Sequence, residues 1–131
     1  TDERMTRFWI TLRQGVAFVI DSIEMMQGGE VFVPKLPSMK IADLARAICP
    51  ECEIEPIGIR SGEKLHESMI SVDESRTAVD LGDRFAILPA NPHWGSVEYP
   101  GGTKLPEGFS YSSDSNDDWL DASRLLEMIK D

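Results

Sequence analysis

Positive charge is scarce in this chain. Only 13 of its 131 residues are Lys or Arg, against 23 Asp or Glu, so the net charge is -10. Nucleic acids and anionic membranes are bound by basic surfaces that neutralise phosphates. The charge balance therefore argues against both classes of partner. An acidic protein that binds an anionic ligand must concentrate its few cations in one place.

Long apolar runs and dinucleotide-binding glycines are also absent. No run approaches the roughly 20 apolar residues that a membrane-spanning helix needs. The pairs Gly28-Gly29 and Gly101-Gly102 have no third glycine at the right offset, and neither opens a helix directly after a strand. The sequence predicts no membrane span and no cofactor-binding residues within these 131 positions.

Metal-ligating residue types are few. Cys49 and Cys52 form one Cys-Pro-Glu-Cys motif, and the histidines are His66 and His93. One such motif without a second is weak evidence for zinc, and the histidines could complete a site only by a coincidence of the fold. We therefore expect no metal, and we expect both cysteines to be reduced and inert.

The first 89 residues alternate between helix and strand patterns. Thr11 and Gln14 form a capping-box pattern, and Gly28-Gly29 is expected to stop the helix that follows. Its apolar residues recur at helical spacing. They are Leu12, Val16, Val19, Ile20 and Ile23. Among aromatic and apolar side chains, the core candidates are Phe8, Trp9, Phe18 and Val19.

Further elements are predicted downstream. Strands are expected at 31–33, ended by Pro34, at 54–59 on a sheet edge, and at 85–88, and one helical turn at 64–67. A second helix is expected from a Ser38 cap to Pro50. Its apolar face would be Ile41, Leu44, Ala45 and Ile48. This mixture indicates an α/β or α+β lobe.

Composition changes after residue 89. Residues 90–118 are rich in Gly, Pro, Ser, Asn and Asp with scattered aromatics such as Trp94, which predicts a long loop. Asp121 is expected to cap a last helix through Leu125, Leu126 and Ile129. The sequence thus divides into a lobe at 1–89 and a loop-rich C-terminal extension at 90–131 that ends in a short helix.

The segment Ile59 to Glu67 concentrates charge around one glycine. Its sequence is Ile-Arg-Ser-Gly-Glu-Lys-Leu-His-Glu. Arg60 can hold phosphate oxygens through two parallel N–H···O bonds, and Glu63 can accept from a diol. Gly62 lets the backbone turn between them. Arg7 lies in a second, more apolar cluster. These groups suit a ligand with a diphosphate beside vicinal hydroxyls.

At these residues a family resemblance becomes specific. Four segments occur in one order and at one spacing, and together they resemble the C-terminal part of nucleotide-sugar 4,6-dehydratases of the extended short-chain dehydrogenase/reductase superfamily. The similarity is greatest to the inverting UDP-N-acetylglucosamine 4,6-dehydratases of pseudaminic acid and capsule pathways. The segments are Met5 to Thr11, Val33 to Met39, Ile59 to Glu67 and Phe109 to Asn116.

The resemblance implies site roles. Arg60 and Arg7 would contact the diphosphate, Glu63 the ribose hydroxyls, and Met5 would line the nucleotide pocket. Each role has a plainer alternative. Arg60 and Glu63 could form a local salt bridge or a solvated turn. Arg7 could pair internally with Asp2 or Glu3.

Other side chains have plainer roles. Met5 could simply pack in the core. Lys35 and Lys64 are expected on the surface. His66 is expected to make structural hydrogen bonds rather than to act in acid–base catalysis. Ser61 stands where the family often has Pro, which leaves the turn less rigid.

The resemblance also implies what lies outside this chain. The family's Tyr-x-x-x-Lys catalytic motif and its cofactor glycines are missing, and the chain begins at Thr1. We therefore expect the substrate-binding part of a Rossmann-fold enzyme without its cofactor half, with no catalytic residues and no activity alone.

The parent enzyme would be a cytoplasmic, NADP-dependent homo-oligomer. It would oxidise the sugar at C4, eliminate water across C5 and C6, and return hydride to C6 with inversion at C5. Without the cofactor half, an apolar face would be exposed. The alternatives are a UDP-sugar epimerase of the same superfamily and a non-catalytic module that binds a nucleotide or a partner.

Overall fold

A computed structural model describes residues 2–90 and 97–130. Short strands alternate with helices, which confirms the predicted mixed α/β class. The strands are β1 Thr6–Phe8, β2 Val31–Pro34, β3 Ser38–Lys40, β4 Ser68–Ile70, β5 Ala78–Asp80, β6 Arg84–Ile87, β7 Thr103–Lys104 and β8 Tyr111–Ser112. The helices are α1 Leu12–Met25, α2 Ile41–Ile48, α3 Val72–Ser75 and α4 Ala122–Met128. None of these helices is long and apolar enough to cross a membrane.

The chain contacts define two compact units, each built from separate stretches of sequence. The first unit combines 1–11, 36–68 and 112–131, and the second combines 12–35 and 69–111. The sequence predicted a nucleotide-sugar-binding lobe at 1–89 on the basis of composition and motifs. Contacts within the chain do not test a binding role, so this assignment stays a prediction.

The first unit is built on one strand pair and two helices. Strands β1 and β3 pair antiparallel, with Arg7 opposite Met39. Helices α2 and α4 pack over a core of Met39, Leu120 and Leu125. Asp121 caps α4 by accepting a hydrogen bond from the Arg124 backbone N–H at 2.8 Å, as predicted. This packing gives β1 a fixed position.

The second unit is built on a sheet with the order β2-β6-β5-β7. The strand β6 is central and pairs antiparallel on both sides. Its Phe85 is buried and contacts the rings of Phe109 and Tyr111. The predicted strands at 31–33 and 85–88 are confirmed, although Pro34 lies inside β2 instead of ending it. A further strand pair is formed by β4 and β8.

Helix α1 is confirmed, but its apolar residues are exposed. None of its side chains is buried. The residues concerned are Leu12, Val16, Val19, Ile20 and Ile23. The prediction of Val19 as a core residue is therefore wrong, because helical spacing identifies an apolar face but not what covers it. Gly28 and Gly29 follow the helix with positive φ, as expected for a helix stop.

Several predicted elements are wrong. Ser38 lies in strand β3 and does not cap α2, whose N-cap is Lys40 without a side-chain bond. Ser38 is instead buried and accepts a hydrogen bond from the Asn116 side-chain amide at 3.0 Å. On α2, the residues packed on the core are Leu44 and Ala47, whereas Ala45 and Ile48 are exposed. Because residues 38–40 form strand β3, helix α2 begins at Ile41, and its buried face differs from the predicted one.

Residues 54–59 form no strand, and residues 64–67 form no helical turn. Pro56 removes a donor from the first segment, and no strand among the described residues pairs with it. The predicted loop at 90–118 contains the short strands β7 and β8, while Trp94 and His93 lie outside the described residues.

The prediction of reduced cysteines is wrong. Cys49 and Cys52 form a disulfide, with their Cα atoms 5.4 Å apart. Cys49 ends α2, and the Cys52 N–H donates to its carbonyl, so the tight turn brings the two sulfurs together.

Candidate functional site

Arg7 is held by the chain itself. Its guanidinium donates to the Thr6 carbonyl at 2.7 Å, to the Lys64 carbonyl at 2.9 Å and to the Leu65 carbonyl at 3.2 Å. It also lies 3.4 Å from a Glu67 carboxylate oxygen. Arg7 therefore has internal partners, although they are Thr6 and residues 64–67 rather than the expected Asp2 or Glu3.

Asp2 makes its own ion pair elsewhere. Its carboxylate accepts hydrogen bonds from the Arg4 side chain, at 2.8 and 2.9 Å, and from the Arg4 backbone at 2.8 Å. The Arg4 side-chain hydrogen bonds, followed by the backbone bond, hold the pKa of Asp2 well below its usual range. The Asp2 carboxylate is thus paired with Arg4, and Arg7 binds the carbonyls of residues 64 and 65 instead.

Arg60 and Glu63 close one tight turn. The Glu63 N–H donates to the Arg60 carbonyl at 3.0 Å, and the Arg60 N–H donates to the Glu63 carboxylate at 3.1 Å. Gly62 has a φ of 81°, a conformation that favours glycine. Among the described residues, no hydrogen bond or ion pair engages the Arg60 guanidinium, which is exposed. The turn therefore presents an unpaired cation next to a carboxylate.

Met5 lies in the core of the first unit. It is only 2% exposed, which matches the packing alternative. Its carbonyl accepts the Ile41 N–H at 3.0 Å, so it also anchors the start of α2. A role as a pocket-lining residue stays a prediction.

His66 makes the structural hydrogen bond that its sequence context predicted. Its Nδ1 lies 2.8 Å from the Thr6 hydroxyl, and its Nε2 lies 3.9 Å from the Asp114 carboxylate. The Thr6 hydroxyl lies in turn 2.6 Å from the Ser113 hydroxyl. The pKa of Asp114 is lowered, first by the Ser112 hydroxyl that donates to its carboxylate and also by attraction to His66.

Sequence reasoning missed Thr6 and Ser113 as members of this site. Both lie in segments that carry the family resemblance, Met5 to Thr11 and Phe109 to Asn116. Their position in these motifs was the one feature of the sequence that could have indicated a role. The residue types gave none, because Ser and Thr are common in turns and strands and become informative only once burial is known.

The lysines and the glutamate that remain to be placed differ in their surroundings. Lys35 lies in the second unit, where its ammonium donates to Asp80 at 2.7 Å and lies 4.7 Å from the centre of the Phe85 ring. Lys64 is exposed, as expected. Glu74 forms a capping box with Ser71 at the start of α3, a role that the sequence reading missed.

The described residues contain no group of three or more His, Cys, Asp or Glu arranged to hold a metal ion. The two cysteines are paired with each other. The first unit instead offers Arg60 and Glu63 on one turn, while Arg7 of strand β1 binds the adjacent residues 64 and 65. Such a set can bind an anionic, hydroxylated ligand, and it includes no nucleophile positioned for chemistry.

Comparison with known proteins identifies the family of this chain. Residues 1–89 match the model of a family described as polysaccharide biosynthesis protein. The chain is 49% identical over 136 aligned positions to a UDP-N-acetylglucosamine 4,6-dehydratase (inverting) from Campylobacter jejuni serotype O:2. That alignment covers 98% of this chain but 41% of the relative, so the chain spans less than half the length of this dehydratase.

Two further relatives extend the comparison. A UDP-glucose 4-epimerase from Rickettsia canadensis is 38% identical over 91 positions, which cover 66% of this chain and 27% of the epimerase. The solved structure of Pen from Bacillus thuringiensis matches with a TM-score of 0.81 and 32% identity, covering 99% of this chain and 40% of Pen. The segments that form the candidate site at 5–7 and 60–67 both fall within the matched family model. The chain therefore belongs to the polysaccharide biosynthesis protein family.

Proposed function

We propose that this chain holds the UDP part of UDP-N-acetylglucosamine as one portion of an inverting 4,6-dehydratase. The observation that carries the proposal is the exposed guanidinium of Arg60, which has no partner among the described residues and lies on a glycine turn beside Glu63. An arginine binds a diphosphate through parallel N–H···O bonds. The 49% identity to an enzyme of that name supports the choice of ligand.

The binding roles are divided between the two arginines. Arg60 supplies the free cation for the diphosphate, while Glu63 accepts from the ribose hydroxyls. Arg7 supports the same segment through the Lys64 and Leu65 carbonyls and adds positive charge beside it. Met5 would line the nucleotide pocket. Binding energy collected at the nucleotide end helps orient the distant sugar ring for reaction.

The cofactor and the catalytic groups would come from outside these 131 residues. A dinucleotide needs a glycine-rich turn between a strand and a helix. Gly28 and Gly29 follow helix α1 and precede β2, and Gly101 and Gly102 precede β7, so neither pair has that setting. The residues present do not fit NADP, which when bound would supply the hydride chemistry. We expect the isolated chain to be inactive, and turnover of UDP-N-acetylglucosamine by it would contradict this.

The exposed apolar face of α1 supports a missing partner lobe. Five of its apolar residues are more than half exposed, from Leu12 at 85% to Val16 at 52%. A contiguous apolar face of this kind marks an interaction surface. We propose that the cofactor-binding lobe of the longer enzyme covers it, consistent with the 41% of the dehydratase that this chain spans. A cytoplasmic, homo-oligomeric parent is part of the same proposal.

A calorimetric titration with UDP tests the binding role. We expect the wild-type chain to bind and Arg60→Ala to weaken binding at least tenfold, about the effect of losing one charged hydrogen-bonded contact. Arg76→Ala is the matched control, because Arg76 is exposed in the second unit and pairs there with the exposed Asp73 across 3.5 Å. A folded wild type that fails to bind UDP, alone and mixed with the cofactor lobe, would contradict the proposal.

One second function has specific support. The similarity to a UDP-glucose 4-epimerase favours a UDP-sugar epimerase, which would use the same UDP grip. The 49% match extends over 98% of the chain, whereas the epimerase match covers 66%. The product formed by the longer protein would distinguish the two activities. A dehydratase forms a 4-keto-6-deoxy sugar, whereas an epimerase returns a 4-hydroxyl of opposite configuration.

A further inference from the structure

The segment next to the Arg60–Glu63 turn is unusually well held. The Leu65 carbonyl accepts from the Thr6 backbone N–H at 3.1 Å and from Arg7. The Glu67 carbonyl accepts from the Ser113 N–H at 2.8 Å. Residues 64–67 are therefore fixed by strand β1 on one side and by Ser113 on the other, all within the first unit.

The turn itself has no such support. Its two hydrogen bonds join Arg60 and Glu63 to each other. On its N-terminal side, residues 53–60 lie in no helix or strand. The hydrogen bonds that tie this region to a strand therefore lie on the C-terminal side of the turn, at residues 64–67.

A buried hydroxyl pair links the two supports of this segment. The Ser113 hydroxyl accepts the Glu67 N–H at 2.9 Å and lies 2.6 Å from the Thr6 hydroxyl, which lies 2.8 Å from His66 Nδ1. Thr6 is 2% exposed and Ser113 is 0% exposed. Water cannot replace a lost partner at such positions, so each missing hydrogen bond is costly.

Every donor in this chain of hydrogen bonds finds an acceptor if the bonds run from Glu67 towards His66. The Glu67 N–H donates to Ser113, the Ser113 O–H donates to Thr6, and the Thr6 O–H donates to an unprotonated His66 Nδ1. In the opposite direction, the Ser113 O–H would have no acceptor among the described residues. This direction places the histidine proton on Nε2, which faces Asp114 at 3.9 Å.

The arrangement also resembles a hydroxyl–imidazole–carboxylate catalytic set, but it cannot act as one. A nucleophilic oxygen must reach a substrate carbonyl or phosphoryl group. Both hydroxyls are buried, so no substrate atom can approach them. A structural use of the three side chains is what their burial permits.

We propose that Thr6, His66 and Ser113 are positioning residues that place the Arg60–Glu63 turn for its anionic ligand. The inference rests on the proposed function, since the ligand is taken to be a nucleoside diphosphate. The network acts through residues 64–67 and touches no ligand itself. Breaking it leaves Arg60 and Glu63 chemically intact but moves them away from the geometry that bidentate binding needs.

The test pairs a disruptive substitution with a conservative one. Thr6→Val keeps the side-chain shape and suits a strand, but it removes the hydroxyl between Ser113 and His66. We expect it to weaken UDP binding about tenfold in calorimetric titration, as for one lost buried hydrogen bond. Thr6→Ser keeps the hydroxyl and should stay within about threefold of wild type. Thr103→Val, an exposed strand position in the second unit, should change nothing.

A second pair of variants tests His66. In His66→Asn the amide replaces Nδ1 and retains the contact with Thr6, whereas His66→Gln extends towards Asp114 and loses that contact. Rescue by Asn but not by Gln is the expected result, and it would not follow if His66 served only to fill space. Equal binding by folded Thr6→Val and wild type, or equal losses in Asn and Gln variants, would overturn the proposal.

Nitrogen NMR of the imidazole supplies a readout that needs no ligand. We expect the wild-type His66 to carry its proton on Nε2, and we expect Thr6→Val to shift or broaden the backbone amide signals of residues 60–63. If wild type does not bind UDP, alone or mixed with the cofactor lobe, the proposed function fails while these spectra still test the positioning. An Nδ1-protonated His66, or unmoved amide signals in Thr6→Val, would overturn the inference alone.

Discussion

Helices α4 and α1 use their apolar residues in opposite ways. In the first unit, α4 is short, yet its Leu125 is only 1% exposed and packs with Met39 and Leu120. In the second unit, α1 is twice as long and has no buried residue. Both helices have apolar residues at helical spacing. Amphipathic spacing therefore records which face is apolar, while the surrounding chain decides whether that face is covered.

The same contrast between satisfied and unsatisfied groups occurs between the two site arginines. Arg7 donates to three backbone carbonyls, whereas the Arg60 guanidinium has no partner among the described residues. A group with internal partners contributes to stability, and a group without them is available for binding. Both comparisons can be tested by matched substitutions.

The largest effect is expected from truncation in α4. Leu125→Ala removes a fully buried side chain and should lower the free energy of unfolding by about 2–5 kcal/mol. Ile23→Ala in α1 removes a side chain that is 62% exposed, and the change should stay within about 0.5 kcal/mol. Urea unfolding of both variants provides the measurement. Losses of equal size would show that the face of α1 is covered in solution.

The arginine pair should show the next largest difference. Arg7→Ala removes the side-chain donor to the Lys64 carbonyl and one of the two donors to the Leu65 carbonyl, and it should lower stability by about 1–3 kcal/mol. Arg60→Ala should leave the unfolding free energy within about 0.5 kcal/mol of wild type while reducing UDP binding. Thermal unfolding followed by circular dichroism separates the two effects. A strongly destabilised Arg60→Ala would mean that the turn has internal partners after all.

Acid should weaken the second unit through Glu30. Burial raises the pKa of Glu30, but hydrogen bonds from Tyr99 and from the Gln27 and Gly28 backbone outweigh it, so the pKa lies below its ordinary value of 4.5. A carboxyl group with a lowered pKa in the folded state stabilises the fold above its unfolded pKa. That contribution is lost as the pH falls from about 4.5 through the folded value.

Tyr99→Phe isolates this contribution. Tyr99 donates to the Glu30 carboxylate at 2.7 Å, and the loss of that bond should cost about 0.5–1.5 kcal/mol at neutral pH. The variant should also show a shallower loss of stability below pH 4.5, which denaturant titrations at pH 7 and pH 3.5 would measure. An unchanged pH profile would contradict the assigned role of the pair.

The smallest effect on stability is expected from polar substitution on α1. Ile20→Gln places an amide where an exposed apolar side chain stood, so the unfolding free energy should change by less than about 0.5 kcal/mol. Self-association should decrease, because an exposed apolar face promotes it. Sedimentation velocity of wild type and variant gives the comparison. A destabilised, equally associated Ile20→Gln would refute the assignment of this face as free.

The sequence determined the parts of this protein that depend on local chemistry. Helix α1 and its glycine stop, the Asp121 cap of α4, and the strands β2 and β6 follow from spacing and capping residues. The charged glycine turn at 60–63 was also evident, and so was the family resemblance. These features involve residues within a few positions of each other, where backbone propensity and side-chain period act directly.

Only the tertiary structure decided the features that depend on contacts between residues far apart in the sequence. Ser38 became a strand residue because β3 pairs with β1, and 54–59 failed to become a strand because no strand among the described residues pairs with it. Besides the adjacent Thr6 carbonyl, Arg7 binds the distant carbonyls of residues 64 and 65, since those carbonyls lie beside β1. The Thr6–His66–Ser113 network joins residues up to 107 positions apart. Its members acquire their role from burial and proximity, which only the folded chain provides.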